Sequence, residues 1–295
     1  MLKQRLREDI IYLIKVVIVY FAVVLLVFVV AGPVGEVLRA REIIMAAKDQ
    51  AIPSVMLEFM GMQRLGQFSA KVEVFFLGVM VLNLGVLIGI FVHGVRAMRA
   101  SYEKNRFSFF FMQLMPLWKG YIFVIAEILF VSMLSWWLYT MMLGLFADVL
   151  TSDLYIDEIA VVSSLLESVG VRGFVLVLFM SVLGMAFGML QRRKVHGTDV
   201  GLGIAGASFV LGNLYKIPQC IAYLQPAAVG DTEKIVKTAN VLKGLRIICP
   251  FSWLNPVNIY NRTLEVAQLG IYVVLTFLLV VVIGIWYCKR DWQEL

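Results

Sequence analysis

Six stretches of this chain are each long and apolar enough to cross a lipid bilayer, and that property limits the fold before any single residue is considered. They run from Ile11 to Gly32, Val74 to Val95, Gly120 to Phe146, Val171 to Leu190, Asp199 to Ala222 and Gln268 to Cys288. A spanning helix needs about 20 mostly apolar residues. Hydrocarbon offers no partner to backbone N–H and C=O groups, so each segment must pair its own by becoming helical. Composition agrees: 61% of residues are hydrophobic and 16% charged, where a soluble domain carries about a quarter charged. The expected fold class is an all-α polytopic membrane protein, with one transmembrane domain of six helices spanning residues 1–295. The first stretch carries Lys15, exceeds a signal-peptide core in length and lacks a small-residue cleavage pattern, so it is expected to be retained.

The formal net charge of +6 reads as topology rather than nucleic-acid binding. With the N-terminus inside, the four short inner stretches hold 13 Lys and Arg residues, whereas the outer stretches hold 10 in more than twice the length. The outer stretch 147–170 has none and carries Asp148, Asp153, Asp157, Glu158 and Glu167. A Lys/Arg excess marks the cytoplasmic side. Both termini are therefore expected in the cytoplasm, with the chain multi-pass in a bacterial cell membrane and no nucleic-acid partner.

The connecting stretches have their own character. Leu2, Leu6 and Ile10 share one face of a charged N-terminal segment, which predicts an interfacial elbow helix leading into the first span. Residues 99–119 begin polar and turn aromatic and Met-rich before Pro116, which ends or kinks a helix. This segment reads either as an interfacial linker anchored by phenylalanines or as a docking surface for a cytoplasmic partner. Apolar residues at Ile156, Ile159, Val162 and Leu166 predict an outer amphipathic helix over 153–167. The proline-punctuated stretch Phe251–Tyr260 is expected to dip into the outer headgroup zone, where Trp and Tyr concentrate. Small residues at Gly184 and Gly188, at Gly85 and Gly89, and at Gly201, Ala205, Ser208 and Gly212 mark faces for close helix packing, within the chain or against a second copy.

Catalytic signatures are missing. Gly201 to Gly206 fits G-x-G-x-x-G, but the dinucleotide fingerprint requires a preceding strand in a soluble βαβ unit. The sequence has no G-x-x-x-x-G-K-[ST] and no H-E-x-x-H, and its two histidines, His93 and His196, are far apart. A non-enzyme without a cofactor of its own is expected. The polar residues inside the spans are Lys15, Asn83, Glu127 and Asn213, with Lys216 expected to reach outward. Intramembrane polar groups are costly and point to function by default. These four are candidates for a translocation path, with a structural Glu127–Lys15 pair as the competing reading. Cys220 and Cys249 fall near the same side, and buried unpaired thiols are the expectation.

Three stretches together resemble the permease subunit of type-2 ABC exporters. Glu103 stands five residues before Ser108, and Pro116 follows eight residues later, a spacing similar to the motif between spans 2 and 3 of that family. Pro250-Phe251-Ser252-Trp253-Leu254-Asn255-Pro256 is similar to the family segment before its last span, and Lys289-Arg290-Asp291 to its closing residues. Phe107 replaces a glycine of the first motif, and Leu117-Trp118-Lys119 replaces its ending. The resemblance implies a pair of permeases, each docked on a separate cytoplasmic ATPase that holds ATP and Mg. It implies a coupling helix within 99–119, with Phe109, Phe110 and Phe111 as apolar anchor, Glu103 and Arg106 as polar rim, and Arg192 and Arg193 in a second contact. Outward movement of an amphipathic or hydrophobic cargo, such as a peptide, antibiotic or lipid-like molecule, would follow. The alternatives are an ATP-independent secondary transporter or channel, and a structural or assembly factor of the membrane.

Overall fold

The computed structural model describes residues 2–46, 68–103, 117–151, 154–190, 197–218, 232–262 and 264–289. All regular structure among them is helical. Helices α1 (Leu2–Ala46), α2 (Ala70–Glu103), α3 (Leu117–Thr151) and α4 (Ile156–Leu190) are followed by a short α5 (Gly197–Asn213). Helix α6 (Thr232–Lys243), a 3₁₀ turn (Gly244–Ile248) and two single-turn helices, α7 (Pro250–Trp253) and α8 (Pro256–Tyr260), then lead to α9 (Gly270–Lys289). Five of these, α1 to α4 and α9 with the turn before it, are long and apolar enough to cross a membrane. This is a multi-pass membrane protein by length and composition.

Helix α2 is the axis of the bundle. Of its spanning window 61% is buried, against 11% for α1 and 17% for α9, so α1 and α9 are peripheral and present apolar side chains outward. The most extensive contact is the parallel seam of α2 with α4, in which Ser69 meets Glu158 at one end and Met98 meets Gly188 at the other. Glycines make it possible. A Cβ on Gly94 would lie 2.5 Å from the Ser181 carbonyl oxygen, and one on Gly188 would lie 2.7 Å from that of Val95. A Cβ on Gly184 would lie closer still to the Phe91 carbonyl oxygen. Backbones meet at this distance only where side chains are absent. Phe91, Val95, Val177, Met180 and Leu176 fill the space on either side.

The bundle has two ends. At one, Met98, Tyr121, Met189 and Tyr287 form a small cluster of their own, and Tyr12 stacks on His93 at 4.2 Å between centroids. At the other, Phe28 stacks against Phe75 and Phe146, and the segment 244–260 fills the centre. The C-terminal ends of α2 and α4 and the start of α3 all lie at the Tyr121–Tyr287 end.

Several expectations change. The N-terminal elbow is not a separate piece, because α1 runs unbroken from Leu2 to Ala46, through Pro33. The outer amphipathic helix is likewise continuous with the fourth span in α4, since no proline lies between Ile156 and Leu190 to interrupt it. The fifth span, expected over 199–222, stops at Asn213, turns at Leu214–Tyr215 and resumes for one turn at 216–218. Pro218 explains this. It has no N–H to give the Leu214 carbonyl, and its ring would clash with that group in a continuous helix. Of the small-residue pairs, Gly184 and Gly188 are used in the α2–α4 seam, whereas Gly85 has open space around it.

Gly94→Ala is therefore expected to destabilise by more than about 2 kcal/mol, because the obstacle is backbone. Gly85→Ala should be neutral or stabilising by up to about 1 kcal/mol from helix propensity alone. Thermal unfolding in detergent checks both.

Candidate functional site

The interrupted fifth segment creates the site. A helix that stops inside an apolar bundle leaves carbonyls without partners, and each buried orphan is costly. The chain meets this by folding 244–260 into the gap. Pro250 and Pro256 each start a helical turn where a missing N–H costs nothing. Asn255 caps the second turn by accepting from the Val257 N–H at 3.0 Å. Phe251 through Ile259 are all buried. Its surroundings are thus protein, and it is the centre of the fold at that end.

Polar side chains tie the insert to every neighbour. The Asn83 amide on α2 donates to the Leu254 carbonyl at 2.9 Å and accepts from the Tyr139 hydroxyl of α3 at 2.7 Å. Asn258 donates to the Ser252 carbonyl at 2.8 Å and accepts from Arg246 at 2.7 Å. The Arg246 guanidinium lies 4.6 Å from the Tyr215 ring centroid, directly at the break in α5, in range of a cation–π attraction. Trp253 and Tyr272 both donate to the Ile247 carbonyl, at 3.1 and 3.0 Å. Gly212 is the last contact of α5 with the insert; a Cβ there would collide with the Ser252 hydroxyl.

Between these groups lies a small cavity lined by Asn83, Asn213, Ser252, Asn255, Asn258, Phe209 and Leu254. Its free volume is about 20 Å³, room for one water. Asn213 donates to the Phe209 carbonyl at 2.9 Å, which satisfies an end of α5 and leaves its amide oxygen facing outward from that bond.

The four candidate path residues thus separate into two groups. Asn83 and Asn213, 130 positions apart in sequence, line one cavity. Lys15 is exposed on α1, and Glu127 is half-buried on α3 between residues of the Tyr121 cluster; neither lines it. Glu103 closes α2, and Arg106, Ser108, Phe109, Phe110, Phe111, Pro116, Arg192 and Arg193 lie outside the described residues. Lys216, expected to reach outward, is instead 2% exposed. Cys220 lies outside the described residues; among those described the Cys249 thiol has no disulfide partner, and burial pushes it up to about 11, so as a thiol it stays protonated at neutral pH and is a poor nucleophile.

Reading by segment missed Ser252, Asn255, Asn258 and Arg246. A signal was present: Asn255 and Asn258 share a short stretch with two prolines, and polar residues beside helix-starting prolines become caps and tethers when buried. No protein-family model, curated protein or solved structure matches this chain.

A double-mutant cycle on Asn83→Ala and Tyr139→Phe should return a coupling of about 0.5–1.5 kcal/mol, the range for buried membrane hydrogen bonds. Each single change should cost about 1–3 kcal/mol by stranding its partner, as read from unfolding in detergent.

Proposed function

We propose that this chain is the membrane-spanning subunit of a transporter, and that its transport path passes through the cavity between Asn83 and Asn213. The observation that carries this reading is a convergence. An interrupted apolar helix, a buried insert and polar side chains from α2, α5 and the insert meet at one cavity, whose remaining lining is apolar. Polar groups inside an apolar bundle are costly and point to function by default.

The driving force, on this proposal, comes from outside the chain. The resemblance to type-2 ABC exporter permeases supports a separate cytoplasmic ATPase, holding ATP and Mg, that grips the link between α2 and α3. The charge bias supports cytoplasmic termini and puts that link on the inner side. Helix α4 ends at the same end of the bundle as α2, and Arg192 and Arg193 beyond it would form the second contact. A second permease copy, or a homologue, completes the unit in the cell membrane. An interior with few polar groups suits an amphipathic or hydrophobic cargo better than an ion.

One observation favours a second reading, an ATP-independent secondary transporter. Such proteins build their substrate sites on broken helices, and α5 is broken at the cavity wall. The two readings part on the dependence on a partner. Affinity capture of the intact chain from membranes should retain an ATPase subunit with G-x-x-x-x-G-K-[ST], and deletion of 101–118 should abolish that retention. Phe110→Ala should leave membrane insertion intact while lowering cargo-stimulated ATP turnover at least tenfold. Unchanged turnover and transport in Phe110→Ala would count against the coupled reading.

A further inference from the structure

A second cleft, of about 480 Å³, opens at the same end of the bundle, on the other side of the insert from the Asn83 cavity. It lies between α4 and the chain from Ile259 to Val266, and Arg172, Arg262, Glu265, Ser164 and Ser168 contribute its polar lining. Its apolar lining includes Leu165, Leu264 and Val266.

Arg172 is the unusual member. It is 5% exposed, yet its only hydrogen bond among the described residues is from Nη2 to the Leu264 carbonyl, at a long 3.2 Å. Nε and Nη1 are buried without a hydrogen-bond partner, and the guanidinium stands 5.8 Å from the Trp253 ring centroid. A buried cation with most of its donors unused is costly unless a counter-charge arrives. Arg262 adds a second, independent oddity at the rim. Its φ is +49°, the left-handed conformation that ends α8 and that glycine adopts without strain. An arginine is held there at a conformational cost, with its side chain exposed beside the cleft.

We propose that this cleft binds a phosphodiester, the singly charged group of a glycerophospholipid head. The charge on the lining is one positive unit in excess, two arginines against Glu265, which suits a monoanion better than a dianionic phosphate monoester. Arginine's planar fork matches phosphate oxygens, and the Ser168 hydroxyl in the lining supplies a further donor. The depth agrees. Arg172 stands 18 residues before the end of α4 at Leu190, about 27 Å along the helix, close to the thickness of the hydrocarbon layer. A headgroup phosphate lies at that level, and the apolar wall of Leu165, Leu264 and Val266 receives the glycerol and the start of the acyl chains. On binding, Arg172 exchanges its long bond to Leu264 for two bonds to the phosphate. The site does not depend on which cargo the protein moves or on what drives it.

Native mass spectrometry of the full chain, delipidated in maltoside micelles, tests this with three probes. Phosphatidylglycerol carries the diester and the chains, glycerophosphoglycerol carries the diester alone, and diacylglycerol carries the chains alone. One phosphatidylglycerol should bind per chain, with Arg172→Gln weakening it at least about tenfold. Arg262→Gly should weaken it several-fold while raising the thermal midpoint, because the backbone strain is relieved. Preference for phosphatidylglycerol identifies the source as lipid, and equal binding of glycerophosphoglycerol identifies it as a soluble diester. Diacylglycerol binding as tightly as phosphatidylglycerol, or affinity unchanged in Arg172→Gln, overturns the proposal. Should Arg172→Gln fail to fold, unchanged affinity in Arg262→Gly overturns it alone.

Discussion

The amide of Asn83 makes the hydrogen bonds on which one half of this bundle depends. By donating to the Leu254 carbonyl and accepting from Tyr139, it joins two spanning helices to a non-spanning insert through a single side chain. The constraint behind it is general. Backbone that leaves helical geometry among apolar side chains must find partners, because neither lipid nor a hydrocarbon core supplies them. Here the end of α5 and the two short turns of the insert are satisfied by asparagines and by the indole and phenol that reach Ile247. The polar residues are few because each holds a specific place in the backbone.

The α2–α4 seam is the complementary half of the design. Its contacts are almost wholly apolar and depend on glycines that bring backbones together. This half is rigid by close packing, whereas the insert is held by directional bonds to several helices. A cavity with room for about one water lies beside the insert, on the α2 side.

How much of this was legible follows the same physics. Apolar runs without proline, such as Val74 to Val95 and Gly120 to Phe146, are read directly, because length and hydropathy alone decide a spanning helix. The fifth segment misled for a definable reason: its hydropathy continues past Asn213, and Pro218 carried the only local sign of the break. The insert is a different case. Trp253 and Tyr260 have the composition of a headgroup belt, and composition cannot separate burial in protein from burial at an interface. Of the path candidates, Asn83 and Asn213 are brought together and Lys15 and Glu127 are not among them. That separation depends on tertiary placement, which single-segment reasoning does not contain. Arg172 was passed over because it sits at the edge of an apolar run, where a positive side chain looks like an ordinary flank.

The central claim is that the cavity between α2, α5 and the insert opens as part of transport, and the most direct measurement is the reactivity of a cysteine placed in it. Asn213→Cys, in a background where native cysteines are replaced by alanine, would be treated with a membrane-impermeant maleimide from each side of sealed vesicles. The account predicts labelling that changes side when nucleotide is supplied to the partner ATPase. Absence of labelling from either side under every condition, in protein whose unfolding remains cooperative, would show a sealed structural seam and contradict it.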